Sequence, residues 1–141
     1  MAPRILLPYD GSKPARDAIR YSFDTFDDPR VTALHVIPLA DNYWTVFEGM
    51  EARVPNYDEA VEHAEALFDE AASIAAETDG RDETENETGE PERTIIERGE
   101  AGEFDLIVIG RHGRVGLSRM LLGSTAEKVV RRSPTPVLVV R

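Results

Sequence analysis

Four short apolar runs limit what this chain can fold into. They lie within RILLPYD (residues 4–10), VTALHVIP (31–38), FDLIVIG (104–110) and PVLVVR (136–141). Each is too short for a buried helix, rich in Val, Ile or Leu, and bounded by Pro, Gly or Asp, which reads as a strand. Near-continuous apolar runs are what strands covered on both faces require. Between them the apolar spacing becomes helical. Ser12 is placed to cap a helix with Pro14 in its first turn. Ala15, Ala18, Ile19, Ser22, Phe23 and Phe26 then recur on one side, and Pro29 closes the segment.

A second helix is predicted over residues 56–78, with Ala60, Val61, Ala64, Leu67, Phe68, Ala71 and Ala75 as its apolar stripe and Gly80 just beyond. A short helix over 91–100 directs Ile95 and Ile96 inward. Another over 124–132 sets Ala126, Val129 and Val130 on one face, ended by Pro134 and Pro136. Strands alternating with helices make an α/β chain with a mostly parallel sheet, and right-handed crossovers place helices on both faces. At 141 residues, one domain spanning 1–141 is expected. RDETENETGEP (81–91) is the exception to this rhythm. Periodicity reads it as loop, although Thr84 and Thr88 would tolerate a short, solvated edge strand.

The chain has no cysteine, so disulfides, zinc–thiolate sites and thiol chemistry are excluded. Its apolar runs fall short of the ~20 residues that span a bilayer, and MAPRILLPYDGS lacks the layout of a signal peptide. A cytoplasmic location is expected. The formal net charge of −11 disfavours nucleic acid and anionic membranes as partners. Lys13 and Lys128 are the two lysines, every other basic residue being arginine. Acid excess with scarce lysine is expected of a protein adapted to a salty cytoplasm, an ordinary acidic protein from a GC-rich genome being the alternative.

The charge is unevenly spread. Residues 110–132 hold Arg111, Arg114, Arg119, Lys128, Arg131 and Arg132 against one acid, Glu127, for a local charge of +5; the remainder carries −16. Arg131 and Arg132 suit the last turn of a helix, but Arg111 and Arg114 precede it. The same stretch begins GRHGRVGLSRMLLGST (110–125), with four of the ten glycines. Open parallel sheets bind ligands beyond the carboxyl ends of their strands. Asp10, Val36 and Gly110 stand at three such ends, and Ser124 and Thr125 open a helix aimed at the same edge. A helix N-terminus beside a glycine-rich turn is a ready anion site, so a phosphate-bearing ligand is expected. The spacing is G-x-x-G, nine residues, then G-S-T. It matches neither the P-loop nor G-x-G-x-x-G.

That pattern, with PYDGS (8–12), LHVIP (34–38), GEP (89–91), DLIVIGRHG (105–113), GST (123–125) and SPTPVLVVR (133–141), resembles the universal stress protein family on its nucleotide-binding branch. The resemblance runs the length of the chain. It implies one five-stranded parallel sheet in the order 3-2-1-4-5 with four helices, and it turns residues 82–88 into the third strand. It also implies a site for ATP, with magnesium or manganese. Pro8, Tyr9 and Asp10 would belong to it, Asp10 near the ribose and the metal. The Val36 backbone would meet adenine. Gly110, Gly113, Gly123, Ser124 and Thr125 would hold ribose and phosphates; Arg111 and His112, from their charge and place in the same loop, are further candidates to touch phosphate. A homodimer through the last strand, Pro136 to Arg141, follows from its place at the sheet edge.

Other residues are read more plainly. His35 is a core or pocket-wall residue and His63 flanks the long helix's stripe, while Trp44, Phe47 and Met50 are expected to cover the sheet edge, a lid over adenine or a partner contact being the alternatives. No H-E-x-x-H or G-x-S-x-G pattern occurs. Three functions stay open at this point: an ATP-binding regulatory protein with at most slow hydrolysis, an ATP-hydrolysing or phosphoryl-transferring enzyme, and a dimeric module that does not use nucleotide.

The charge separation carries its own test. Self-repulsion among the acids should weaken the fold at low ionic strength, and salt screens it within ~10 Å at 0.1 M and ~3 Å at 1 M. The melting temperature is expected to rise with potassium chloride; a flat or falling curve removes the salt-adaptation reading.

Overall fold

The computed structural model describes residues 2–38, 53–78, 80–111 and 122–141. Strand β1 (Arg4–Pro8) leads to α1 (Lys13–Thr25), β2 (Arg30–Pro38), α2 (Arg53–Ala76) and β3 (Asp82–Gly89). Then come α3 (Pro91–Ala101), β4 (Leu106–Gly110), α4 (Ser124–Arg132) and β5 (Val137–Val140). All pairings are parallel, in the order β3-β2-β1-β4-β5. The chain steps outward from β1 to β2 and β3, then crosses back to lay β4 on the other side of β1. Strand order reverses there, which leaves a crevice over the carboxyl ends of β1 and β4.

The twofold alternation of β1 builds both cores at once. Ile5 and Leu7 face Ala15, Ala18 and Ile19 of α1 and Leu67, Ala71 and Ile74 of α2. Leu6 faces the other way, among Ile95 of α3 and Ala126 and Val129 of α4. Val108 joins the first core, Ile107 and Ile109 the second. Helices therefore cover both faces, as the sequence predicts.

Several expectations change in detail. Residues 53–55 belong to α2 rather than to the preceding connection; a first turn tolerates Pro55 because its missing N–H would be unpaired there. Ile74, left out of the apolar stripe, is buried on α2. Val130 is 45% exposed. The buried side of α4 runs through Ala126 and Val129, and Val130 sits on its flank. The loop reading of the acidic stretch gives way to a strand of eight residues, pairing with β2 from Val31↔Asp82 to Pro38↔Gly89. Its stability comes from that ladder and from Arg98 of α3, whose Nε and Nη2 both donate to the Glu85 carboxylate. Neither leaves an apolar signature.

Gly110 ends β4 against the first turn of α1. A Cβ there would lie 2.7 Å from the Pro14 carbonyl carbon and 2.8 Å from its oxygen, so only glycine lets α1 settle onto the strand. Gly110→Ala is expected to cost about 1–3 kcal/mol, typical of overpacking, read as a lower urea midpoint. An unchanged midpoint would show that α1 does not press on this strand end.

Candidate functional site

The carboxyl edge is assembled from three segments that the fold brings together. The first follows β1. The Tyr9 N–H donates to the Leu34 carbonyl at 2.8 Å, which keeps this segment beside β2. Asp10 is exposed, and its Oδ1 accepts the Ser12 N–H at 2.9 Å. Gly11 takes φ +80°, and a Cβ on it would meet Leu67 Cδ2 of α2 at 2.5 Å. Ser12 then caps α1, its Oγ accepting the Ala15 N–H.

The second segment is the end of β2. Pro8 pairs with Leu34, so β2 continues beyond β1. The Leu34 carbonyl faces β1, and strand alternation turns the Val36 N–H and C=O to the same side. They point past the end of β1, into the crevice. The Val36 side chain packs with the Leu6 core.

The third segment is the exit from β4 and the entry to α4. The Arg111 N–H bonds the Val140 carbonyl at 2.9 Å, and the Arg111 carbonyl accepts the Gly123 N–H at 3.0 Å. The chain thus leaves β4 and returns to α4 at one point. Gly123 is the N-cap, with no side-chain cap bond, and the first intrahelical bond runs from the Glu127 N–H to its carbonyl. The N–H groups of Ser124, Thr125 and Ala126 precede that bond and have no partner within the helix. Gly110 against Pro14 fastens this third segment to the first.

The structure therefore brings Pro8, Tyr9, Asp10, Val36, Gly110, Arg111, Gly123, Ser124 and Thr125 to one edge. It shows a different use for two of them. The side-chain position of Gly110 faces Pro14, and Tyr9 is 2% exposed. His112 and Gly113 lie outside the described residues, as do Trp44, Phe47 and Met50.

Further contacts hold the first segment, two of them through Glu70 and Arg16, which the sequence reading passed over. The buried Tyr9 hydroxyl donates to Glu70 Oε1 on α2. Burial first, then Glu70, raises the phenol well above its ordinary value, so it stays a donor. Arg16 Nη1 donates to the Gly11 carbonyl. His35 Nδ1–H donates to the Tyr9 carbonyl at 3.1 Å, which leaves the lone pair on Nε2, and the His63 ring stands edge-on to His35 at 6.3 Å. The one sequence signal for Glu70 was its place on the long helix beside Leu67 and Ala71.

The universal stress protein family model matches residues 1–141. The chain belongs to the universal stress protein family. Universal stress protein MJ0531 of Methanocaldococcus jannaschii is 31% identical over 140 residues, covering 98% of this chain and 81% of that protein. The solved structure of MJ0577 from the same organism has a TM-score of 0.81 at 29% identity, covering 99% of this chain and 96% of that one. The universal stress protein of Archaeoglobus fulgidus in complex with dAMP shares the fold, with a TM-score of 0.72 at 20% identity over 100% of this chain and 98% of that one. No helix among the described residues is long and apolar enough to cross a membrane.

His35 gives this universal stress protein a pH signature. Burial lowers its pKa below the ordinary 6.5 and His63 adds to that, against the Tyr9 carbonyl and Asp10. The unfolded chain then binds the proton more readily than the folded one. Stability present above the unfolded value is lost as pH falls through the folded value. Melting temperatures from pH 7.5 to 5 should fall more steeply in the wild type than in His35→Asn, whose comparison cancels the carboxylate background. Parallel curves would contradict the assignment.

Proposed function

We propose that this chain is a cytoplasmic regulatory protein of the stress-response type that binds ATP, with magnesium or manganese, and hydrolyses it slowly at most. One observation carries the reading. Of the two helices that begin at the crevice, α1 is capped by its own Ser12, whereas α4 begins at Gly123 without a side-chain cap. Its first three N–H groups, without a partner among the described residues, and its dipole suit a polyphosphate. The rest of the edge fits the same ligand. Val36 offers a backbone donor and acceptor for a base, and the exposed Asp10 carboxylate suits a ribose hydroxyl or a phosphate-bound divalent ion. A bound divalent ion would supply positive charge against the phosphates, and Asp10 is the residue of this edge that would hold it. The solved relative holding dAMP is in keeping with this reading.

Phosphoryl transfer asks for a positioned nucleophile and stabilised charge at the γ-phosphate. The family resemblance implies a place for Asp10 near the ribose and metal instead. A site that binds ground-state ATP lowers its free energy without lowering the barrier from the bound state. ATP then acts as a bound signal. The protein's charge argues against nucleic acid as a partner, and the acidic surface suits a salt-rich, haloarchaeal-type cytoplasm.

Gly123→Val should abolish ATP binding by calorimetry, because a branched side chain at the cap crowds the approach to the α4 N–H groups. Wild-type phosphate release should stay far below the ~10 s⁻¹ typical of enzymes. Unchanged affinity in a folded variant would refute the cradle, and fast turnover lost in Asp10→Ala would make the protein an enzyme.

Assembly is proposed through β5. This edge strand exposes parts of Val137, Leu138 and Val139, and an unprotected edge invites pairing with its twin about a twofold axis. Light scattering at micromolar concentration should give a dimer that Val139→Asp dissociates. A wild-type monomer, or a dimer indifferent to that change, would contradict it.

A further inference from the structure

Helix α2 grips the segment that carries Asp10. His63, Leu67 and Glu70 are spaced four and three residues apart, on one helical face. Leu67 and Glu70 meet that segment directly, and His63 reaches it through His35 of β2. The His63 ring stands against His35, whose Nδ1–H holds the Tyr9 carbonyl. Leu67 occupies the space that a Gly11 Cβ would need. Glu70 accepts the Tyr9 hydroxyl. Further bonds fix the backbone on either side of Asp10: Tyr9 N–H to Leu34, Arg16 to the Gly11 carbonyl, and Ser12 N–H to Asp10 itself. An exposed carboxylate in the middle of so tightly held a segment is preorganised for a ligand.

We propose that Glu70 is a positioning residue of the nucleotide site: acting through the Tyr9 hydroxyl, it sets the Asp10 carboxylate for a metal-loaded polyphosphate. This rests on the nucleotide-binding reading given above. The physical reason is asymmetric. Tyr9 is 2% exposed with Glu70 in place, so removing Glu70 takes away the acceptor of its hydroxyl and leaves water beyond it to supply another. An unsatisfied buried donor is costly, and the ring shifts toward water to relieve it. Asp10 is the next residue and moves with it. Removing the hydroxyl as well leaves nothing to satisfy, and the ring stays in place. Glu70 is itself exposed, so its substitution opens no core cavity.

The test is calorimetry with ATP, in magnesium and again in EDTA, on the wild type, Glu70→Ala, Glu70→Gln, Tyr9→Phe and the double variant Tyr9→Phe/Glu70→Ala. Melting curves confirm that each is folded. Glu70→Ala should weaken binding about tenfold in magnesium, the scale of one charge-assisted hydrogen bond, and much less in EDTA. Glu70→Gln, whose amide oxygen still accepts the bond, should recover most of the loss. In the Tyr9→Phe background, Glu70→Ala should cost nothing further, a non-additivity that mere loss of charge or of helix stability would not produce. A wild type that binds ATP while Glu70→Ala binds equally well overturns the role of Glu70 alone. So does an equal loss with and without magnesium, or an equal loss in both Tyr9 backgrounds. A wild type that does not bind ATP overturns this inference and the nucleotide reading together.

Discussion

Strand β1 presents three consecutive side chains, Ile5, Leu6 and Leu7, that solvent does not reach. Burying each is worth about 1.5–3 kcal/mol, and the alternation of a strand sends them to opposite faces. Covering one face would leave Leu6 or the Ile5–Leu7 pair in water. Helices must therefore pack on both sides, and the chain must cross the sheet in both directions from its centre. The reversal of strand order beside β1 is the consequence, and the crevice at its carboxyl end comes with it. The functional edge is a by-product of how the core closes.

What distinguishes that edge is how its backbone groups are paired. At α1 the protein satisfies its own helix start, with Ser12 as cap and Asp10 steadying Ser12. At α4 it does not, and Gly123 keeps the approach clear of a side chain. The opposite edge shows no such economy. The guanidinium groups of Arg4 and Arg98 lie 5.3 and 5.4 Å from the Phe104 ring centre, and Arg4 donates to the Glu103 carbonyl. Those contacts close the amino end of the sheet, while the carboxyl end keeps donors and a carboxylate turned outward.

Much of this was legible in the sequence, for reasons that differ by element. Asp10 and Ser12 could be read because each acts locally, one as a carboxylate at a strand end and the other as a helix cap; the turn at Gly11 came only with the structure. The start of α4 was equally plain, since a glycine before Ser-Thr and a helical stripe needs no distant partner. The third strand was not legible from its own residues. Asp82 to Gly89 has almost nothing to bury, and its conformation comes from β2 and from Arg98; only the family resemblance pointed to it. Glu70 was hidden for a related reason. It meets Tyr9 across 61 positions, and that meeting depends on how α2 lies on the sheet. Gly110 was read as room for a ligand, and its side-chain position turned out to face Pro14. A glycine marks a close approach but not what approaches.

The central claim is that the uncapped start of α4 and the Asp10 carboxylate together hold an adenine nucleotide. Purifying the protein under native conditions, denaturing it, and identifying the released small molecules by mass spectrometry tests this without a chosen ligand. Adenine nucleotide is expected from the wild type, and little or none from Gly123→Val. Wild-type protein that releases no nucleotide, and takes up none when ATP and magnesium are supplied, would contradict it.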